Sequence, residues 1–380
     1  MSNVTDVLLL IAGIAILVVT WMVVIFTIVL PRGQRGPARL STYITRGVRL
    51  LFTGIAGITK SYERKDTILA PIGPIAVITQ LLVWLAMFGI GFVLMLEPYT
   101  HNFGTAISQV GAAMFTLGEA RRAVLTNDTI LTLAGATGLV VIGLQIAYLP
   151  SLYAAFNRRE ALTTLLTSRA GEPAWGPEIL IRHQLVGITD ALPDFYASWE
   201  QWAAEVSESH VSYAVLLLFR SPEPWSSWVL SLLSVMDAAA MHLALQPESA
   251  PSQARMCLRM GYVALRRISS SLGWEFDDDP MPDDPIQLTE IDFIAAVTLL
   301  TESGFPIERD PISAWPHFRG WRVNYEDLAY RWANRVVAPP APWSGDRPGL
   351  ATGPVTPRRP KHRSPDDPYA YERPEFPPPG

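Results

Sequence analysis

The sequence has 380 residues, a formal net charge of −5 and only 17% charged residues, and its mean hydropathy is positive. Soluble domains average about 25% charged residues; the deficit here is concentrated before residue 150, so the chain reads as a membrane part joined to a soluble part. The acidic balance argues against nucleic acid as a partner of the whole chain, and the single cysteine, Cys257, excludes an intrachain disulfide.

Residues 7–30, VLLLIAGIAILVVTWMVVIFTIVL, are apolar almost throughout. As a helix they reach about 36 Å, enough for a hydrocarbon core of about 30 Å. The run has no basic leader and no small-x-small cleavage motif after it, so a retained transmembrane helix is expected rather than a signal peptide. Residues 31–69 form a basic linker. On a 3.6-residue wheel Leu40, Ile44, Val48, Leu51, Phe52 and Ile55 share one side, while Arg39, Arg46 and Arg49 share the other. That pattern predicts an amphipathic helix on an anionic leaflet, with the three arginines against lipid headgroups; packing on protein is the alternative.

Residues 70–96 are the second expected span, with Pro71 and Pro74 in its first turn, where proline is tolerated. The loop 97–128 is long, and its centre, GTAISQVGAAMFTLG, carries no formal charge. A helix of about 12 residues there is too short to cross a bilayer but suits a re-entrant segment. Non-helical backbone at such depth survives only where protein or a watery cavity covers it. Residues 129–149 are the third expected span. Its Gly135, Gly138 and Gly143 are small residues that let helices approach closely and also permit bending. Pro150 is expected to mark the membrane exit.

Basic residues set the expected orientation. Arg32, Arg35, Arg39, Arg46, Arg49, Lys60, Arg64 and Lys65 lie between the first two spans, Arg121 and Arg122 between the next two, and Arg158, Arg159 and Arg169 after the third. The positive-inside rule then puts the first loop and the C-terminal part in the cytoplasm, the N-terminus outside and the loop 97–128 facing outward.

Residues 151–337 read as a cytosolic all-α bundle. Helices are expected over 159–170, continuing from the third span, and over 198–219, 224–245, 251–272, 289–303 and 324–337. Gly171 with Pro173 stops the first, Thr289 and Asp292 have capping-box spacing, and Asn324 is an expected N-cap. Residues 225–245 are apolar enough for a fourth span. Asp237 and His242 favour a buried helix of the soluble bundle instead. The pairs Trp199/Trp202 and Trp225/Trp228, like Cys257, read as core.

No enzyme is expected. His101, His183, His210, His242, His317 and His362 are scattered, and no zinc, P-loop, dinucleotide or nucleophile-elbow motif is present. Asp237 and His242 are poorly spaced for a dyad, and His317 in AWPHFRGW reads as aromatic packing. FDDDPMPDDP gathers Asp277, Asp278, Asp279, Asp283 and Asp284, oxygen ligands suited to calcium or magnesium, yet without EF-hand spacing or its turn glycine. A solvated linker is the expected reading. Residues 338–380, rich in proline, are expected to be disordered; their RRPKHR and EFPPPG stretches read as a solvated charge cluster and a weak docking motif.

Three features together carry a resemblance: the order span, re-entrant segment, span; the stretch FTLG; and LPSLYAAFNRREALTTLLTSRAGEP after the third span. LLLFRSPEPWSSW, DAAAM and AWPHFRGWRVNYED extend it to about residue 337. The chain resembles bacterial, especially actinobacterial, membrane proteins with an ion-channel domain, whose pore unit is that of potassium channels. The resemblance implies a multi-pass protein of the bacterial inner membrane, a homo-oligomer of four chains, and passive passage of potassium or another monovalent cation. On the family filter, Thr116, Leu117 and Gly118 take the first three positions. Glu119 then stands for tyrosine, Ala120 for the second glycine and Arg121 for aspartate. A carbonyl filter needs the positive φ that glycine permits, so Ala120 departs from it at a steric cost. Glu119 would place carboxylates near the mouth, and Arg121 and Arg122 would oppose them. A non-conducting, membrane-anchored interaction or scaffold protein, its helical domain binding partners, stays open as the alternative.

Overall fold

Helix is the only repeating structure among the described residues, which in this computed structural model are 2–29, 39–115, 125–347, 350 and 355. The chain divides into two units. Unit 1 comprises Met1–Ile55, Pro71–Phe156 and Val211–Phe219; unit 2 comprises Ala56–Ala70, Asn157–His210 and Arg220–Gly380. Among the described residues, four helices are long and apolar enough to cross a membrane.

Unit 1 holds α1 (Ser2–Val24, continued by a π turn at Ile25–Val29), α2 (Arg39–Ala56), α4 (Ile72–Thr100), α5 (Phe103–Met114) and the first part of α6 (Leu125–Ala170). Helix α1 packs along α4 through glycines: a side-chain carbon on Gly13 would stand 2.6 Å from the Gly91 carbonyl oxygen, so only hydrogen fits there. Trp21 and Phe88 meet edge to face 5.2 Å apart. Val7, Leu8, Ile11, Val18 and Val19 remain exposed on the opposite side. Helix α4 begins at an N-cap of Pro71, tolerates Pro98 in its last turn and ends at His101 in the left-handed region. It therefore runs four residues past the expected end at 96.

The third expected span and the helix expected at 159–170 are one helix. Pro150 lies inside α6 without ending it. The ring removes one backbone donor, and buried Leu152 and Ala155 hold the helix on its far side. The stop falls at Gly171, φ +75°, as its position predicts.

Unit 2 is built around α9 (Trp228–Leu245), which is wrapped by α7 (Gly176–Val186), α10 (Ser252–Ser271), α12 (Pro311–Arg322) and α13 (Glu326–Arg335). Of its residues 94% are buried, so this apolar helix is the centre of unit 2. The remaining helices are α3 (Tyr62–Leu69), α8 (Leu192–Ser212) and α11 (Glu290–Glu302). Thr289 and Asp292 form the expected capping box. Asn324 is no cap: its amide donates to Gly320 O at 3.1 Å and Trp321 O at 3.2 Å, and Tyr325 holds the N-cap position of α13.

Two domain boundaries shift. Helix α3, expected as linker, belongs to unit 2, where Tyr62, Asp66 and Leu69 are buried. At the other end, Ala338, Ala341, Ser344 and Arg347 are buried, so packing continues ten residues beyond the expected limit at 337. Arg347 accounts for it: its guanidinium donates to Ser344 O at 2.9 Å and Ala338 O at 3.3 Å, folding the Pro-Ala stretch back on itself. The rest of the expected disordered tail, apart from residues 350 and 355, lies outside the described residues.

Candidate functional site

The segment between α4 and α6 is organised by Asn102. Its side-chain oxygen accepts a hydrogen bond from Thr105 N at 3.0 Å, an N-cap that starts α5. Helix α5 has 12 residues, about 18 Å. Ala106, Val110 and Met114 form its buried face and join Trp84, Leu85, Phe88, Ile130, Ala134 and Val141 in one core.

The C-terminal end of α5 rests on the glycines of α6. A carbon on Gly135 would stand 3.1 Å from Ala113 O, and one on Gly138 would overlap Met114 O. Met114 Sδ also lies 3.8 Å from where a carbon on Gly89 of α4 would be. Gly138 lies about 20 Å along α6 from Leu125, so α5 starts level with the end of α4 and descends well into the helical layer. Gly135 and Gly138 are thus contact points for α5. A side-chain carbon on Gly143 would meet no atom within 4 Å, and its face of α6 is exposed.

A helix end of this kind carries unpaired carbonyls and a partial negative charge of about half an electron. The segment that leaves it begins at Phe115. The filter-like residues Thr116, Leu117, Gly118, Glu119 and Ala120, with Arg121 and Arg122, lie outside the described residues.

Unit 2 brings together residues that the sequence does not mark as a group. Asp237 of α9 pairs with Arg322 at 2.5 Å and accepts from Tyr325 Oη at 2.8 Å. Arg322 also reaches Glu326 Oε1 at 3.1 Å, Tyr330 Oη at 2.9 Å and Trp343 O at 2.7 Å. Burial pushes the Asp237 carboxyl up to about 6. Burial opposes the charge on Arg322, but the Asp237 carboxylate beside it prevails and raises it. A second node is Arg159 with Glu160 at 2.7 Å and His210 Nε2 at 3.1 Å. An arginine can only donate, so Nε2 accepts and Nδ1–H donates to Val206 O at 2.9 Å. Burial and Arg159 together hold His210 neutral, well below the usual histidine range. A third is Arg220, which donates to Asp66 Oδ1 at 2.6 Å, Tyr62 Oη at 2.7 Å, Val336 O at 2.5 Å and Val337 O at 3.1 Å. These arginines are buried or nearly so, and they use their donors to join helices.

Asp237 and His242 do not act as a pair, since His242 Nδ1 faces Tyr196 Oη at 3.2 Å. His317 is exposed rather than packed among aromatics, because Phe318 and Trp315 fill that core from the other side of α12. Trp199, Trp202 and Trp228 are core as expected, Trp225 is half-buried against Tyr62, and Cys257 is buried. The five aspartates do not converge. Asp277 Oδ1 accepts from Asp279 N and Asp284 Oδ2 from Met281 N, and among the described residues no three acidic, histidine or cysteine side chains are placed to hold a metal ion.

Comparison with protein-family models, with curated proteins and with solved structures finds no match for this chain.

Proposed function

We propose that the chain is a multi-pass membrane protein whose α4–α5–α6 unit is a pore-like module, and that several copies around an axis give passive passage to a monovalent cation such as potassium. One observation carries the reading: α5, too short to cross a bilayer, descends between α4 and α6 and ends against Gly135 and Gly138. Its negative end is then held at depth, where a cation gains most from it. In this reading α1, α4 and the first part of α6 span the bacterial inner membrane, α5 is re-entrant, and the N-terminus faces outward. Unit 2 is cytosolic, with α9 as its core rather than a fourth span. Thr116, Leu117 and Gly118 supply filter oxygens and Glu119 a charge near the mouth, in a tetramer by resemblance.

Flux of cations into liposomes containing the purified full-length protein tests this. Flux is expected in the parent, and Glu119→Gln should alter it. No flux under any cation gradient would overturn conduction and leave a membrane-anchored scaffold.

A further inference from the structure

Helix α2 carries three arginines and no acidic residue. It is fixed at one end of the helical layer of unit 1. Ser41 Oγ lies 3.0 Å from Thr27 Oγ1, in the π turn that ends the first helix, and Val48 packs against the apolar cluster to which α4 and α6 contribute. The side turned away from these contacts is open. Tyr43, Leu50, Leu51 and Ile55 are exposed there by 64%, 54%, 62% and 46%, and Gly47 and Gly54 leave the helix surface bare between them. This flank is not quite the one the wheel assigns to lipid. Val48, with Ile44 and Phe52, is partly covered by protein, and the open arc is rotated toward Tyr43 and Leu50. The side chains of Arg39 and Leu40 lie outside the described residues.

Two cations border the open arc. Arg46 is exposed. Arg49 is half-buried, and its Nε is shielded from solvent without a hydrogen-bond partner. Neither has an acidic partner among the described residues. Burial disfavours the charged form of Arg49, and Arg46 lies close enough to add to that effect. Two neighbouring guanidinium groups without a counter-anion, beside an apolar flank, are complementary to a phosphate set above acyl chains.

We infer that α2 is a docking surface for anionic lipid: Tyr43, Leu50, Leu51 and Ile55 enter the acyl boundary, and Arg46 and Arg49 hold the headgroup phosphate. The inference rests on the membrane-spanning part of the proposed function and is independent of conduction.

The test uses the full-length chain with Cys257→Ala, a fluorophore on Leu51→Cys, and liposomes containing brominated phosphatidylglycerol or brominated phosphatidylcholine at equal mole fraction. A second label on Leu8→Cys, on the exposed side of α1, reports the span itself. Quenching at position 51 should favour the anionic lipid, with an enrichment of about fivefold per arginine. Arg46→Gln/Arg49→Gln should bring the two lipids to parity, and Arg46→Lys/Arg49→Lys should retain most of the preference. Equal quenching in the parent would overturn the headgroup site. Quenching at position 8 but not at 51 would overturn the docking of α2 alone; quenching at neither would remove the membrane reading beneath it.

Discussion

The carbonyl oxygen of Met114 occupies the space that a side chain on Gly138 would need, so the end of α5 and the first part of α6 are in backbone contact. Two helices approach this closely only where one has no Cβ. The seat of α5 therefore needs glycine at position 138.

Gly138→Ala should displace α5 or strain it. A loss of about 1–3 kcal/mol is expected from the overlap, against a helix-propensity gain of up to about 1 kcal/mol. Gly143→Ala meets nothing and should equal or exceed the parent. Thermal unfolding of the two variants in one detergent checks this; equal midpoints would contradict the contact.

Arg322 stands between Asp237 and Glu326 with essentially no solvent. Arg322→Met leaves two buried acids unpaired and should cost about 3–5 kcal/mol. Asp237→Asn added to it should recover part of that loss, because one of the two unpaired acids is then neutral and only Glu326 remains. Chemical denaturation of the single and double variants measures the difference.

His242 gives unit 2 a dependence on acid. Burial depresses it from 6.5 to about 4. Between those values the unfolded chain takes a proton that the folded chain refuses, so stability present above pH 6.5 is lost as pH falls to 4, about 3 kcal/mol for this group. Asp237, raised by burial, works in the opposite sense over part of the range. The informative quantity is therefore the difference between the parent and His242→Gln: their midpoints should converge as pH falls from 6.5 to 4. Parallel curves would show that His242 does not titrate this way.

Arg220 and Asp66 are far apart in sequence and 2.6 Å apart in the fold. A double-mutant cycle with Arg220→Ala and Asp66→Ala should return a coupling of about 1–3 kcal/mol. Additive effects would mean that the Arg220–Asp66 pair does not help to hold α3.

What the sequence discloses follows from the range of each interaction. The Thr289–Asp292 box and the Gly171 stop are local, with both partners within a turn, and both are legible in the residues alone. Helix α5 is legible as an uncharged stretch of fixed length. Its seat on Gly138 is not, since the carbonyl it meets is specified by tertiary packing. Arg322 looks like any arginine until Asp237, Tyr330 and Trp343 are brought to it from three other places. The Pro-Ala stretch after 337 misleads for the same reason. Composition reports the missing backbone donors of proline, but not the carbonyls that Arg347 collects. Pro150 removes a backbone donor, and buried Leu152 and Ala155 accompany the continuous helix beyond it, in keeping with the expected continuation to 170.

The buried α9 has a consequence for biosynthesis. An 18-residue apolar helix emerging from the ribosome presents the insertion machinery with something close to a membrane segment. Asp237, at its midpoint, makes partition into lipid less favourable by about 2.5–3.5 kcal/mol. On the proposed topology, the carboxylate that pairs with Arg322 in the finished bundle also disfavours lateral entry of the nascent segment into lipid.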